Sequence, residues 1–590
     1  MSNNEDIAHT TFTQFTRYTK FATRMHFTNS ATVWWVVSAW WLSCVSCVAG
    51  PAAQSDPLAD AWRRIDEHVT ARMRDQNTPG LALAITSRDR LLHVGTYGLA
   101  NVDAKRPVTP DTLFEIGSIS KSFTAIALLQ LRDQGAFDPQ APITKYLPWF
   151  SIKSAFRPIT GHDLLSHTSG LPRDRDDVPS SPYQAYGVRE REAGYEPGVH
   201  YAYSNVGFQV LGYALESIAK HPYPEVIAER ILRPLGMTAT EAQFTHETRP
   251  RLAVGYERMY DDRPGHPSHP LVPATWLEYA AGDGSIVSTA ADMAAYARML
   301  LNKGAGPNGR RVLSEEGFAL LTQRAIGTGE NSWYGYGMGS VERDGSRYLS
   351  HSGGMVGYSS MLVVAPDLGL AAVVMVNGPG DAASVARDAV LVASSALRGE
   401  SLPPVPSLED RTRVANPREF AGEYRADSGG PLVVQAHGER LLIGVDGSAV
   451  AAAERRGTDT FFVNSPAMDR FLLRFQRSGG KVTSATHGNH TYVAGPAHER
   501  QPRTPSGWEA YPGHYRTTHA WFNNFRIVVR GDRLFLVSPD GSETTMEALA
   551  PGLFKEEGPS SERLRFDSLV GGQALRANLS GVDYYRVFTP

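Results

Sequence analysis

A serine and a lysine one helical turn apart are the sharpest chemical feature of this chain. Ser118 and Lys121 lie where a loop is predicted to enter a helix, so both side chains share one helical face. A serine hydroxyl is a poor nucleophile at neutral pH and needs a base within hydrogen-bond reach. A partly desolvated lysine can be neutral often enough to accept or relay a proton. The pair predicts acyl transfer, although a plain helix cap beside a solvated lysine has the same spacing.

A tyrosine and an asparagine two residues apart form a second candidate group. Tyr203 and Asn205 fall in the irregular stretch 196–205, directly before an apolar helix predicted over residues 206–215. From such a loop both side chains can face one cavity, where a tyrosine near cations can relay protons. The asparagine offers a donor and an acceptor to a substrate amide. Taken alone, each residue also fits ordinary turn chemistry.

A histidine followed by small residues forms the third group. His351, Ser352, Gly353 and Gly354 come just before a strand predicted over residues 358–364. Small residues beside a strand let a substrate backbone approach closely. The alternative is a glycine-rich turn with a solvated histidine.

The elements that must position these groups follow from the hydrophobic pattern. Helices are predicted over residues 62–74 and 121–133, and a third is predicted to begin after the cap Thr289, with Asp292 three residues later. Buried strands are predicted over residues 81–85 and 368–376. Strands at both ends with helices between them favour an α/β sandwich.

The hydrophobic pattern of the sequence changes after a proline-rich stretch near residue 403. Short alternating runs then recur with turn signals, as in all-β barrels and sandwiches. The stretch around Tyr424 is repeated around Tyr515, and about eight strands fit each copy. Eight antiparallel strands can close around a core filled by side chains. We predict two tandem small eight-stranded β-barrels of lipocalin-like form, with one larger sandwich as the alternative.

Composition excludes several classes of protein. The 590 residues carry a net charge of −3 and are 42% apolar, which argues against a nucleic-acid partner and against a disordered chain. The two cysteines are Cys44 and Cys47, so the bulk of the chain has no thiol for catalysis, metal binding or disulfides.

The first 53 residues resemble an export signal. An uncharged, tryptophan-rich stretch over residues 31–50 follows Arg17, Lys20 and Arg24 and precedes small residues. This order is typical of a secretory signal peptide, and a stretch of this length can also anchor the chain in a membrane. Either alternative predicts an exported protein that is periplasmic, secreted or membrane-anchored.

Taken together, the three groups resemble the serine β-lactamase and penicillin-binding peptidase superfamily. The resemblance is greatest to its class C β-lactamase-like branch, which includes β-lactamases, D-stereospecific peptidases, D-aminopeptidases and esterases. It covers residues 58–395 and is supported by the stretches 164–171, 281–289 and 334–338. It implies a β-lactamase-like fold with an antiparallel sheet flanked by helices.

The resemblance also implies a role for each residue. Ser118 matches the acylated nucleophile, Lys121 and Tyr203 match the proton-transfer pair, and Asn205 matches the contact to the substrate amide. The backbone N–H groups of Ser118 and Gly354 match the oxyanion hole.

The third motif, His351–Ser352–Gly353, departs from the β-lactamases, which carry lysine at the position of His351. Penicillins and peptidoglycan stem peptides present a carboxylate that a lysine holds strongly. An unperturbed histidine titrates near neutral pH and offers less fixed charge. The change favours substrates that lack the carboxylate.

We therefore predict an exported serine hydrolase acting on small peptides, D-amino-acid amides or esters. The alternatives are a β-lactamase or DD-carboxypeptidase, and a non-catalytic scaffold that retains the fold. No metal and no cofactor are predicted, because acyl transfer by serine needs neither, and the sequence assigns no oligomeric state. The predicted domains are the leader (1–53), the hydrolase domain (56–399), a linker (400–417) and the two barrels (418–500 and 506–590).

Overall fold

The computed structural model describes residues 57–172, 181–426, 429–445, 447, 450–495 and 503–588. The predicted leader, with Cys44 and Cys47, lies outside the described residues. Among the helices that are described, none is both long and apolar enough to cross a lipid bilayer.

Helices and strands both occur in the first two thirds of the described chain, whereas the last third consists almost entirely of strands. The α-helices are α1 Pro57–Gln76, α2 Ser120–Asp133, α3 Gly161–Leu165, α4 Ser181–Gly187, α5 Asn205–Ala219, α6 Tyr223–Ile227, α7 Arg233–Leu235, α8 Ala290–Leu301, α9 Glu315–Leu321 and α10 Ala382–Leu397. The strands before the barrels are β1 Gly80–Ser87, β2 Leu91–Asn101, β3 Arg106–Pro107, β4 Phe114–Glu115, β5 Tyr256–Arg258, β6 Leu271–Pro273, β7 Val287–Ser288, β8 Ile326–Gly329, β9 Ser332–Tyr334, β10 Gly339–Arg343, β11 Ser346–Met355, β12 Tyr358–Ala365 and β13 Leu370–Val376.

One nine-stranded sheet forms the middle of the first domain. Its strands run in the order β3-β2-β1-β13-β12-β11-β10-β9-β8, and all neighbours are antiparallel. The central strand β13 is buried along its whole length because helices cover both faces of the sheet. The predicted antiparallel sheet flanked by helices is confirmed.

Two helix layers provide the two apolar cores. On one face α1 and α10 pack on the sheet through residues such as Ile65 and Val385. On the other face α8 packs on the sheet. The helix α2 belongs to the same apolar core and is buried along most of its length. The predicted Thr289 cap is confirmed, since its hydroxyl accepts a hydrogen bond from Asp292 N at 3.3 Å. The helix that follows Ser118 is thus held at the centre of the domain.

The last third of the chain forms two closed barrels of eight antiparallel strands each. The first contains β14 Gly422–Arg425, β15 Leu432–His437, β16 Arg440–Val445, β17 Ala451–Gly457, β18 Thr460–Val463, β19 Leu473–Ser478, β20 Lys481–His487 and β21 His490–Ala494. The second contains β22 Gly513–Arg516, β23 Asn524–Arg530, β24 Arg533–Val537, β25 Glu543–Ala550, β26 Leu553–Glu556, β27 Arg563–Val570, β28 Gln573–Leu579 and β29 Val582–Arg586.

The sequence repeat is also a structural repeat. Tyr424 Oη donates to Phe420 O at 2.7 Å in the first barrel, and Tyr515 Oη donates to Tyr511 O at 2.8 Å in the second. Each barrel encloses its own apolar core. The two-barrel prediction is confirmed, and the alternative of one larger sandwich is wrong.

A loop of the first domain between β5 and β6 touches both barrels. Arg263 donates to Asp469 in the first barrel at 2.7 Å, and His266 Nε2 lies 2.9 Å from Glu454. Asp261 accepts two hydrogen bonds from Arg516 in the second barrel. These contacts hold both barrels against the domain that carries Ser118.

Candidate functional site

The serine and the lysine are in direct contact. Ser118 lies on the 3₁₀ turn Gly117–Ile119, which runs into α2. Lys121 Nζ donates to Ser118 Oγ at 2.9 Å, to Asn205 Oδ1 at 2.7 Å and to the carbonyl oxygen of Asp283 at 2.8 Å. Lys121 is fully buried, and no side chain caps α2, so the alternative of a capping serine with a solvated lysine does not hold. The amine is placed to exchange a proton with the hydroxyl.

Tyr203 and Asn205 reach the same amine. Lys121 Nζ lies 4.9 Å from the centre of the Tyr203 ring. Asn205 is the first residue of α5, whereas the sequence placed it in an irregular loop. The reason is Ser204, whose hydroxyl caps α5 by accepting from Gly207 N at 3.2 Å. The helix therefore begins early and aims Asn205 at Lys121.

The His351–Gly354 motif lies just before β12, as predicted, and is itself part of strand β11 rather than a glycine-rich turn. Gly353 pairs with Ser360 on β12. A Cβ atom on Gly353 would stand only 2.0 Å from Ile116 O, and one on Gly117 would stand 2.7 Å from Gly354 N. The backbone of β11 therefore packs directly against the turn that carries Ser118. Ser118 and Gly354, whose N–H groups are the predicted oxyanion donors, both line the same pocket.

His351 is buried and uncharged at neutral pH. Its Nδ1 donates to Ser352 O at 2.7 Å, so Nε2 accepts from the Tyr334 hydroxyl at 2.8 Å. Burial is the main cause that lowers the pKa of His351 to about 4, and the nearby Lys121 is the second cause. The near-neutral pKa of an unperturbed histidine therefore does not apply to His351, because its ring is buried.

The low pKa of His351 predicts acid lability. The unfolded histidine titrates near pH 6.5 and the folded one near 4, so the unfolded chain binds the extra proton between these values. Stability is then lost as the pH falls through this window, by roughly 3 kcal/mol from this residue. Urea unfolding at pH 7.5 and 4.5 measures the loss, and His351→Asn should shrink it. An equal loss in both proteins would contradict the assignment.

Several residues that line the pocket at Ser118 were not predicted from the sequence. The cavity of about 60 Å³ is also lined by Gln184, Gln209, Tyr279, Asp283, Gly284, Met355 and Trp521. Gln209 Nε2 donates to Gln184 Oε1 at 2.6 Å, and Tyr279 Oη donates to Asp283 Oδ1 at 2.9 Å. Gln209 is one turn after Asn205, so helical spacing could have found it. Trp521 belongs to the second barrel, and no local pattern links it to Ser118.

Two further histidines near the site, His162 and His167, have structural contacts. His167 is fully buried, accepts from Ser204 N at 3.1 Å and packs against the Tyr203 ring at 4.2 Å. Burial lowers its pKa well below the usual value. His162 Nδ1 lies 2.7 Å from Tyr336 Oη. Within the described residues, no group of three His, Cys, Asp or Glu side chains could hold a metal ion.

Residues 65–397 match the family model described as "Beta-lactamase", and they make up more than half of the chain. The chain therefore belongs to the β-lactamase family.

Among its relatives, "Penicillin-binding protein 4" of Amycolatopsis lactamdurans is 29% identical over 382 residues, which are 62% of this chain and 98% of that protein. "Protein flp" of Staphylococcus aureus is 25% identical over 328 residues, 54% of this chain, and the match spans only 63% of that protein. The octameric penicillin-binding protein homologue from Pyrococcus abyssi shares the fold, with a TM-score of 0.52 and 22% identity over 73% of this chain and 99% of that one.

Proposed function

We propose that this chain is an exported serine hydrolase that forms an acyl-enzyme on Ser118 and hydrolyses it with water. Its substrates are small peptides, D-amino-acid amides or esters, as in the class C β-lactamase-like branch of the family. The observation that carries the proposal is the buried Lys121 amine, which contacts Ser118 Oγ and Asn205 Oδ1 at once. Such a contact turns a weak hydroxyl nucleophile into an activated one.

The reaction follows from the positions of these groups. Lys121 in its neutral form, assisted by Tyr203, takes the Ser118 proton as the oxygen attacks the substrate carbonyl. The N–H groups of Ser118 and Gly354 stabilise the oxyanion of the tetrahedral intermediate. Collapse expels the amine or alcohol, which receives the proton. Water then attacks the acyl-enzyme by the same route and releases the acid.

The charge of the third motif favours one class of substrate over the other. A lysine there would hold a carboxylate, but His351 is neutral at pH 7 because its pKa is about 4. We therefore favour substrates without a carboxylate next to the scissile bond. The second candidate is a β-lactamase or DD-carboxypeptidase, supported by the name of the relative from Amycolatopsis lactamdurans.

A substrate panel tests the proposal. Purified chain and its Ser118→Ala variant are compared on 4-nitrophenyl acetate, D-alanine 4-nitroanilide, nitrocefin and a D-Ala-D-Ala peptide. The proposal expects Ser118-dependent turnover of the ester or the anilide above that of the last two. Preference for nitrocefin or the peptide would favour the second candidate. No Ser118-dependent turnover of any substrate would favour a non-catalytic scaffold.

A loop of the second barrel limits the size of the substrate. Trp521 lies on the connection 517–523 and lines the pocket with Ser118. Asp261 holds both ends of this connection, because it accepts from Arg516 at 2.9 Å and from Asn523 at 2.7 Å. The loop that carries the tryptophan is therefore anchored at both ends beside the Ser118 pocket.

Trp521→Ala is expected to enlarge the pocket and to raise the kcat/KM ratio of 4-nitrophenyl hexanoate to 4-nitrophenyl acetate by roughly tenfold or more. Steady-state kinetics on both esters give the ratio. Tyr585→Ala is the matched control, because that aromatic residue lies 57% exposed on the same barrel. A ratio that stays at the wild-type value in Trp521→Ala would show that the loop does not select substrates.

A further inference from the structure

A buried carboxyl group close to the nucleophile has no partner. Glu115 lies on strand β4, three residues before Ser118, and is only 6% exposed. Among the described residues, neither a hydrogen bond nor an ion pair reaches its side chain. Burial raises the pKa of Glu115 well above its usual value, which favours the neutral acid. A buried polar group without a partner is costly, so a bound molecule that pairs with it gains affinity.

The carboxyl group of Glu115 borders a cavity of about 80 Å³, called the Glu115 cavity here. Its oxygens face accessible space instead of being sealed in the core. Most of the wall is apolar and includes Leu252, Val254, Leu277 and Val356. A cavity of about 150 Å³ holds benzene, so this one has room for a chain of roughly three to five heavy atoms.

The other polar side chains of this lining are engaged or lie at the rim. Arg249 is exposed, and its guanidinium packs over the ring of Trp276, 4.9 Å from the ring centre. The hydroxyl of Tyr358 donates to Ala253 O at 2.5 Å. Glu115 is therefore the buried group that remains to pair with a ligand.

Met355 separates the Glu115 cavity from the pocket at Ser118, because it lines both. A Cβ atom on Gly284 would stand 3.4 Å from Met355 Sδ, so the thioether lies against the backbone of Gly284, which also lines the Ser118 pocket. A methionine side chain is unbranched and has three rotatable bonds. A change of its rotamer can therefore join the two cavities.

The acyl part of a substrate suits this enclosed space better than the leaving group does. The leaving group must depart to solvent, whereas the acyl group stays bonded to Ser118 Oγ until water attacks it. The space behind Met355 is thus available to the part that stays. A neutral carboxylic acid offers one donor and one acceptor, and a primary carboxamide offers the matching pair. The two groups can form paired hydrogen bonds.

We propose that the Glu115 cavity is a subsite for the acyl side chain of the substrate, and that it selects a short side chain ending in a primary carboxamide. Met355 moves aside when this side chain enters. The subsite rests on the proposed function, because it names the side chain that the Ser118 site accepts. Binding to a chain without the nucleophile tests it separately from turnover.

Calorimetric titration of the full chain carrying Ser118→Ala measures binding without turnover. The probes are the 4-nitroanilides of D-glutamine, D-norleucine and D-alanine, which share one leaving group. We expect the D-glutamine probe to bind roughly tenfold or more tightly than the D-norleucine probe, which leaves Glu115 unpaired. The D-alanine probe should bind least, because it leaves the cavity empty. Equal binding of the D-glutamine and D-norleucine probes, or no binding of any probe, would overturn the subsite.

Substitutions at Glu115, made in the same Ser118→Ala chain, assign the preference to its carboxyl group. Glu115→Met removes the carboxyl group and should abolish the preference for the D-glutamine probe. Glu115→Gln should keep most of it, because an amide also offers a donor and an acceptor. Glu247→Met, at an exposed carboxylate outside the lining, is the matched control. A Glu115→Met chain that folds by urea titration and still prefers D-glutamine would contradict the proposal.

Two further variants test the route and the space. Met355→Ala removes the partition and should strengthen binding of the D-glutamine probe relative to the D-alanine probe. Val254→Phe fills the cavity and should bring the three probes to similar affinity. Unchanged affinities in both folded variants would show that the side chain does not enter the cavity. A D-glutamine preference in binding without Ser118-dependent turnover would support the subsite and contradict the proposed hydrolase function alone.

Discussion

Replacing Lys121 with methionine is expected to lower kcat/KM by about 10²–10⁴-fold, the usual contribution of a general base. Methionine keeps most of the volume of the lysine stem but removes the amine that contacts Ser118 Oγ at 2.9 Å. The hydroxyl then has no base at this position. Steady-state kinetics on 4-nitrophenyl acetate measure the loss.

The matched control for this change is Lys145→Met, because Lys145 is an exposed lysine away from the pocket. It should retain wild-type kcat/KM. Urea unfolding of Lys121→Met separates loss of chemistry from loss of fold. A folded Lys121→Met protein with wild-type kcat/KM would contradict the role of the lysine.

Gly353→Ala is expected to destabilise the fold by about 1–3 kcal/mol and to lower kcat/KM by about 10²-fold. The added methyl group would stand 2.0 Å from Ile116 O and 2.2 Å from Ser360 Oγ. Strand β11 must then move away from the turn that carries Ser118. Urea unfolding and ester kinetics measure the two effects.

The neighbouring Gly354→Ala is the control, because a Cβ atom there meets no atom within 4 Å. It also keeps the N–H group assigned to the oxyanion hole. Its free energy of unfolding should stay within about 0.5 kcal/mol of wild type. Equal destabilisation by the two substitutions would show that close packing at Gly353 is not the cause.

Local sequence patterns predicted the elements that carry the site. The apolar run after Lys121 gave a buried helix, and Thr289 with Asp292 marked the beginning of another. The repeat around Tyr424 and Tyr515 predicted two barrels, because hydrophobic alternation and turn residues are local signals. Spacing alone also placed the side chains of Ser118 and Lys121 on one helical face.

The remaining features depend on contacts between distant segments. Nothing near His351 in sequence indicates that Tyr334 and Lys121 enclose it, so its low pKa follows only from the fold. Trp521 comes to Ser118 because the ion pair of Asp261 with Arg516 docks the second barrel on the first domain. A sequence pattern carries no such docking information.

Covalent labelling tests the central claim, that Ser118 is the acylated nucleophile, most directly. The chain is incubated with a fluorophosphonate, and the adduct is located by mass spectrometry of the intact protein and its peptides. The account predicts one adduct per chain on Ser118, absent from Ser118→Ala and slowed in Lys121→Met. Equal labelling of wild type and Ser118→Ala, or an adduct mapped to another serine, would contradict it.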